Sequence, residues 1–141
     1  MKITIVNGPN LNLTGHRQPE IYGTETFENY IPTLQQMFPQ HDIEYFQSNI
    51  EGELINTLHE CKKNGRMVLL NAGGYSHTSV ALRDAVSAID LPVIEIHMSQ
   101  VAAREEFRRT SFIGAACVGT ITGFGLDSYR LGILALESLS E

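Results

Sequence analysis

The sequence of 141 residues has no tryptophan, only two cysteines and no long uninterrupted apolar run. Its least polar stretch, residues 112–126, is broken by four glycines and two threonines, and it is shorter than the about 20 residues that a transmembrane helix needs. The first six residues contain too few apolar side chains for a signal peptide. We therefore expect a cytoplasmic protein whose Cys61 and Cys117 are buried thiols, although nothing in the sequence forbids a disulfide.

Several ligand-binding patterns are also missing. The sequence contains no GxxxxGK[ST] phosphate loop, no GxGxxG fingerprint and no HExxH or paired Cys/His metal spacing. Residues 74–78, GYSHT, lack the second glycine of a nucleophile elbow. The net charge of −6 argues against non-specific binding to nucleic acid. We expect a site without metal or cofactor, and a small molecule rather than nucleic acid or a membrane as the partner.

Apolar runs and amphipathic patterns alternate along the chain. Strand-like runs cover residues 2–6, 42–47, 67–70, 92–96 and 115–121. Helical spacing covers residues 26–38, 48 or 49 to 64, 78 or 79 to 89, 101–107, and 127 or 128 to 139. Ser48 or Asn49 is expected to cap the second of these helices. Continuous apolar strands joined by helices are typical of a parallel sheet that is covered on both faces. We predict one α/β domain over residues 1–141, a flavodoxin-like three-layer sandwich with five strands in the order 2-1-3-4-5.

Polar residues follow the strands at their carboxyl ends, which lie at one edge of a parallel sheet. They are Asn7, Asn10, Arg17 and Tyr22 after the first strand, Asn71 and His77 after the third, and His97, Ser99, Arg104, Arg108 and Arg109 after the fourth, with the apolar Met98 between His97 and Ser99. Glu95 shares a face of its strand with His97, so it is expected to hold one imidazole nitrogen. One arginine, preferably Arg108, is expected to bind an anion. Asp84, two helical turns from His77 within an apolar stripe, is expected to bind a polar group.

Residues 7–23, NGPNLNLTGHRQPEIYG, are too rich in asparagine, glycine and proline for a helix or strand. A connection of this length in a compact domain is usually functional or disordered. Because amides, Arg17 and Tyr22 lie close together in it, we predict an active-site loop rather than a disordered one. We expect residues 11–24 to form a lid whose outer half, around Gly15, is mobile.

Six segments resemble the type II dehydroquinase family in order and spacing, over essentially the whole chain. They are NGPNLNL, RQPEIYG, QSNIEGEL, NAGGYSHTSVALRDA, PVIEIHMS and AREEFRRTS. The resemblance implies a flavodoxin-like fold and a dodecamer assembled as a tetramer of trimers. It also implies dehydration of 3-dehydroquinate to 3-dehydroshikimate without metal or cofactor, in the shikimate pathway or in quinate catabolism.

The same resemblance implies a role for individual residues. It implies catalytic roles for Tyr22 as base, Arg17 as the essential arginine, Asn10 as the holder of a water near the enolate, and His97 as general acid with Glu95 as its partner. It implies substrate contacts from the side chains of Asn71, His77, Asp84 and Arg108 and from the backbone amides of Met98 and Ser99. Ile50 and Gln100 stand where the family commonly has His and Asn. Neither position is catalytic in the family, so the differences put contacts at the edge of the site in doubt and not the reaction.

A tyrosine can act as a base at neutral pH only if its tyrosinate form is stabilised, because the pKa of a free tyrosine is about 10. Lowering the pKa of Tyr22 to about 7 requires about 4 kcal/mol, whereas an exposed ion pair supplies only about 0–1 kcal/mol. We therefore expect Arg17 to act on Tyr22 in a partly desolvated site when the lid closes. A small-molecule-binding module without enzymatic activity and a metal-dependent lyase are the alternatives.

Overall fold

The computed structural model describes residues 1–21 and 23–141, and Tyr22 enters only as the last residue of one short helix. The strands are β1 (Lys2–Asn7), β2 (Asp42–Gln47), β3 (Met67–Asn71), β4 (Val93–His97) and β5 (Gly119–Thr122). The α-helices are α1 (Pro19–Tyr22), α2 (Phe27–Met37), α3 (Glu51–Asn64), α4 (Val80–Ile89) and α5 (Asp127–Leu139). Short 3-10 turns occur at Leu11–Leu13, Gly73–His77, Val101–Ala103, Glu106–Arg109 and Gly114–Ala116.

The five strands form one parallel sheet in the order β2-β1-β3-β4-β5, which confirms the predicted topology. The register places Asn7, the last residue of β1, beside both Gln47 of β2 and Asn71 of β3. The polar ends of three neighbouring strands therefore lie at one edge of the sheet.

Apolar side chains cover both faces of the sheet, as continuous apolar strands require. Neighbouring residues of β3 show the alternation, because Leu69 packs in the cluster that includes α2 and α5, whereas Leu70 packs in the cluster that includes α3 and α4. Both leucines are completely buried. The sheet is thus a rigid middle layer whose loops at the carboxyl edge can carry function.

Helix α4 begins with the predicted side-chain cap, whereas helix α3 does not. Ser79 accepts a hydrogen bond of 2.9 Å from the backbone N–H of Leu82 and begins α4 as predicted. The residue before α3 is Ile50, so the predicted cap by Ser48 or Asn49 is wrong. Ser48 instead accepts from the N–H of Ile50 at 3.0 Å and donates to Glu53 at 2.6 Å. Ser48 therefore stabilises the residues that directly precede α3 and its first turn.

The helix predicted over residues 101–107 is wrong. This segment contains the turn Val101–Ala103 and the start of the turn Glu106–Arg109, with Arg104 extended between them. Phe107 is 63% exposed, so no buried stripe supports a longer helix. Arg104 and Arg108 consequently do not share a helical face.

The predicted fifth strand is too long at its amino-terminal end. Residues 114–116 form a 3-10 turn, and pairing with β4 begins only at Gly119. The neighbouring Ile113 is completely buried with residues of α4. A short apolar run such as this one cannot be distinguished from a buried strand by periodicity alone.

Residues 7–23 contain more regular structure than predicted, because they include the turn Leu11–Leu13 and helix α1. The carbonyl of Leu13 accepts hydrogen bonds from the N–H groups of His16 and Arg17 at 2.9 and 3.0 Å. Pro19 occupies the first position of α1, where proline suits a helix. Local hydrogen bonds thus outweigh the unfavourable composition.

Both cysteines are free thiols, and burial raises the pKa of each, that of Cys117 to about 12. Cys61 is buried as predicted, whereas Cys117 is half-buried. Among the described residues, no helix is both long and apolar enough to cross a bilayer.

Candidate active site

A pocket of about 130 Å³ opens at the carboxyl edge of the sheet, where β1, β3 and β4 end. Its lining comes from the last residues of β3 and β4 and from the segments that follow the three strands: Pro9, Asn10, Leu11, Arg17, Asn71, Gly73, Gly74, His77, His97, Met98, Ser99, Val101, Arg104 and Arg108. Eight of the eleven residues with an expected catalytic or substrate-binding role are in this set: Asn10, Arg17, Asn71, His77, His97, Met98, Ser99 and Arg108. The predicted base, Tyr22, lies outside the described residues.

His97, the last residue of β4, forms a buried pair with Glu95. The distance between Nε2 of His97 and Oε2 of Glu95 is 2.9 Å, and Glu95 is 2% exposed. Because a carboxylate only accepts hydrogen bonds, Nε2 carries a proton and Nδ1 remains for a ligand. Glu95 is therefore behind the pocket wall, where it holds His97 as the strand periodicity predicted.

Two hydroxyl groups that sequence reasoning missed also hold Glu95. Ser111 donates to Oε2 of Glu95, and Thr120 donates to Oε1 at 2.9 Å. Burial alone would raise the pKa of Glu95, but the hydrogen bonds and the nearby His97 charge lower it below its usual value. Glu95 is thus an anion at neutral pH. Serine and threonine are common residues, so no pattern in the sequence singled these two out.

His77 lies beside His97 in the pocket, with the ring centroids 6.0 Å apart and the ring planes inclined by 19°. Its Nδ1 lies 2.8 Å from the carbonyl oxygen of Thr110 and donates to it, because a carbonyl only accepts. The neutral His77 ring is therefore protonated on Nδ1 and the neutral His97 ring on Nε2. Each ring leaves its other nitrogen for a ligand.

The amides at the ends of β1 and β3 are held in place. Asn71 is 4% exposed, donates through Nδ2 to the hydroxyl of Tyr129 at 2.9 Å and accepts from the N–H of Gly73 at 3.2 Å. Asn10 has a left-handed backbone with a φ of 70°, and its N–H donates to Oδ1 of Asn49 at 3.0 Å. Tyr129, on α5, was not among the predicted site residues because it lies in an apolar helical stripe.

The charge of the pocket is positive. Three arginines line it, and no carboxylate does among the residues that the structure describes. Arg108 donates to Glu105 at 2.5 Å and Arg104 donates to the hydroxyl of Ser99 at 3.2 Å, so both are partly ordered. Arg109, which the sequence left as a third candidate, is exposed and does not line the pocket. The pocket therefore suits an anion, despite the net charge of −6.

Asp84 is not brought to this pocket. It is exposed on α4, and it does not line the cavity of its own chain. The predicted helical face shared with His77 is wrong, because α4 begins at Val80 and His77 belongs to the preceding 3-10 turn. Spacing alone could not reveal this break between two helical segments.

The fold and the pocket define an α/β protein of flavodoxin-like topology, with an acid–base site for a small anion at the carboxyl edge of its sheet. Comparison with known families agrees with this class. The chain belongs to the class II dehydroquinase family, whose model matches residues 1–137.

Individual relatives are similar over nearly their whole length. The chain is 49% identical to the 3-dehydroquinate dehydratase of Pelodictyon phaeoclathratiforme, over 100% of this chain and 95% of that protein. It is also 49% identical to the 3-dehydroquinate dehydratase of an Exiguobacterium species, over 96% and 94% of the two chains. The crystal structure of the type II dehydroquinase from Butyrivibrio crossotus superposes with a TM-score of 0.94 at 39% identity, covering 97% of each chain.

Proposed function

We propose that this protein is a 3-dehydroquinate dehydratase, which eliminates water from 3-dehydroquinate and gives 3-dehydroshikimate. The observation that supports it most directly is the buried Glu95–His97 pair in an arginine-lined pocket. That pocket lies in a chain of the class II dehydroquinase family. The reaction serves the shikimate pathway or quinate catabolism.

His97 is the general acid in this proposal. Its Nε2–H donates to anionic Glu95, so in the imidazolium form of the ring Nδ1–H faces the substrate. Nδ1–H of that imidazolium then donates a proton to the hydroxyl that leaves from C1. Expulsion of hydroxide thereby becomes expulsion of water.

Tyr22 is the base and takes the proton from C2 as tyrosinate. Arg17, which lines the pocket and is half-buried, supplies the positive charge that favours the tyrosinate. Its effect is larger when residues 11–24 close as a lid and exclude water, because charges interact more strongly in a medium of low dielectric constant. Base and acid come from the ends of different strands, so they flank opposite faces of the substrate ring and give anti elimination.

The remaining pocket residues bind the substrate and its enolate. Asn10 holds a water that donates to the enolate oxygen. The backbone amides of Met98 and Ser99 bind the carboxylate, while Asn71, His77 and Arg108 bind hydroxyl groups and carboxylate charge. These assignments use side chains or backbone that already line one cavity.

We further propose a cytoplasmic dodecamer, built as a tetramer of trimers. Asp84 is exposed outside the pocket of its own chain, so it can contact substrate only where α4 of one copy faces the pocket of another. Light scattering would then give the mass of twelve chains. A monomeric mass with full activity would remove both the assembly and the Asp84 contact from the proposal.

The function is tested by adding 3-dehydroquinate to the purified protein and following the absorbance of the enone product. We expect turnover, and we expect His97→Ala to lower kcat by about 10²–10⁴-fold. His59→Ala is the matched control, because His59 is exposed on α3 and does not line the pocket. Binding of 3-dehydroquinate without product would instead indicate a binding module.

The base and the metal alternative are tested in the same assay. Tyr22→Phe removes the ionisable hydroxyl and is expected to abolish measurable turnover, whereas near-normal turnover would assign the base elsewhere. Treatment with a chelator is expected to leave kcat unchanged. Loss of activity that is restored by a divalent metal would favour a metal-dependent lyase.

A further inference from the structure

One short segment, Thr110–Ser111, contacts the supports of both pocket histidines. The carbonyl of Thr110 accepts from Nδ1 of His77 at 2.8 Å, and the hydroxyl of the next residue donates to the carboxylate of Glu95. Glu95 in turn holds Nε2 of His97. The segment thus connects two imidazoles that belong to different strand ends.

The segment is itself anchored on both sides. The N–H of Phe112 donates to the carbonyl of Ser76 at 2.7 Å, directly before His77 in the chain. The N–H of Gly114 donates to the hydroxyl oxygen of Ser111 at 3.1 Å, which directs the serine hydrogen toward Glu95. A Cβ at position 114 would lie 2.8 Å from Oε1 of Glu95, so glycine at this position leaves the space that the carboxylate occupies.

Each oxygen of the Glu95 carboxylate has its own hydroxyl donor. Ser111 donates to Oε2, the oxygen that holds His97, and Thr120 donates to Oε1 from β5 at 2.9 Å. A carboxylate held at both oxygens keeps one orientation, so its geometry relative to His97 does not depend on the substrate.

We propose that Thr110, Ser111 and Thr120 are positioning residues that hold His77 and His97 in opposite tautomers. The carbonyl of Thr110 keeps the proton of neutral His77 on Nδ1. The hydroxyls of Ser111 and Thr120 fix the carboxylate that keeps the proton of neutral His97 on Nε2. The catalytic consequence rests on the proposed dehydratase function, whereas the tautomers are a property of the unliganded chain.

The first test is nitrogen NMR of the histidine rings at a pH where both are neutral. In the wild-type protein we expect a protonated Nε2 in His97 and a protonated Nδ1 in His77. In Ser111→Ala the His97 ring is expected to become a mixture of tautomers, while His77 is unchanged because the Thr110 carbonyl remains. His97 nitrogen shifts identical to those of the wild type would overturn the proposal, whatever the activity.

The second test is kinetic. Ser111→Ala is expected to lower kcat by about tenfold or more, with KM changed by less than about threefold, because the acid is misdirected while substrate contacts remain. Ser76→Ala is the matched control, since it removes a neighbouring buried hydroxyl that makes no hydrogen bond to any described residue. A kcat of Ser111→Ala equal to that of this control would also overturn the proposal.

Thr120→Val provides a second variant if Ser111→Ala does not fold. Thr120 is exposed on the edge strand β5, so the replacement is tolerated more easily, and we expect the same direction of change in both tests. Wild-type tautomers in that variant would then refute the positioning role. If the wild-type protein does not convert 3-dehydroquinate, the dehydratase function fails, and the NMR test still decides on the tautomers.

Discussion

The hydroxyl of Tyr129 on α5 donates to Oδ1 of Asn7 at 2.8 Å, across 122 residues of the chain. The same hydroxyl accepts from Nδ2 of Asn71 at 2.9 Å. One phenol therefore joins the ends of β1 and β3, which are neighbours in the sheet and border the pocket. Tyr129 is completely buried, and burial raises its pKa, so it stays a neutral donor.

We predict that Tyr129→Phe destabilises the protein and weakens catalysis together. The change removes the hydroxyl that pairs with Oδ1 of Asn7 and with Nδ2 of Asn71, both buried, which should lower the free energy of unfolding by about 2–4 kcal/mol. Urea unfolding at one protein concentration measures this loss. Tyr75→Phe is the control, because among the described residues the hydroxyl of Tyr75 makes one long hydrogen bond, of 3.4 Å, to the carbonyl of Asn49. Equal stability of the two variants would contradict the prediction.

We predict that Arg66→Ala is among the most destabilising changes outside the site. The guanidinium is buried and donates at 2.8 Å to Thr4, to Asp42 and to the carbonyl of Ile3, so it ties β3 to β1 and β2. Its removal should lower the free energy of unfolding by about 2–4 kcal/mol.

Arg130→Ala is the matched control for Arg66→Ala in the same urea experiment. It breaks a bidentate pair with Asp127 at 2.7 and 2.8 Å, but both side chains are substantially exposed. Exposed pairs contribute about 0–1 kcal/mol. If Arg130→Ala lowered the free energy of unfolding as much as Arg66→Ala, burial of the arginine would not explain the loss of stability.

We predict that Glu95 stabilises the fold in a pH-dependent way. Its pKa is lower in the folded protein than in the unfolded chain, so on acidification the unfolded state binds the proton first. The stabilisation is therefore complete above the ordinary glutamate pKa of about 4.3, and it is lost as the pH falls through the lower pKa of the folded state.

Urea unfolding of the wild type and of Glu95→Gln from pH 7 downwards measures this contribution of Glu95 to the free energy of unfolding. As the pH falls below about 4, the stability difference should change in disfavour of the wild type, because the folded state resists protonation of Glu95. Glu141→Gln, at the exposed end of the chain, is the control. A difference between wild type and Glu95→Gln that does not vary with pH would disprove the lowered pKa.

We predict that Arg108→Ala weakens substrate binding more than it slows chemistry. Arg108 lines the pocket, and a hydrogen bond from a charged donor contributes about 1.5–3 kcal/mol, so KM should rise about 10- to 100-fold. Arg109→Ala removes the same charge from an exposed position outside the pocket. Steady-state kinetics on both variants separate local contact from net charge, and an equal rise in KM would favour net charge alone.

Most of the fold was predictable from local pattern. Leu69 and Leu70 lie in a continuous apolar run, which predicted a strand buried on both faces. The failures occurred where a segment has no face to bury, as at Phe107, or where an apolar run forms a turn before it reaches the sheet, as at residues 114–116. Composition does not separate these cases, because the partner that decides them is remote in the chain.

The site was predictable to the extent that it follows strand ends. His97, Asn71 and Arg108 were placed at one edge because parallel strands end together, and the structure brings them to one cavity. Asp84 was placed there by spacing along an assumed helix, and it lies outside. Tyr129, Ser111 and Thr120 were missed, because a hydroxyl has no signature until its acceptor is known.

The sequence pattern thus sufficed to predict the order of the strands and the strand ends that carry function. Both depend on residues that are close in the chain and on the right-handedness of parallel crossovers. The tautomer of each imidazole, the ionisation of Glu95 and the tie between Asn7 and Asn71 depend on contacts between residues up to 122 positions apart. Such contacts exist only after packing has brought donor and acceptor within about 3 Å in a dry interior.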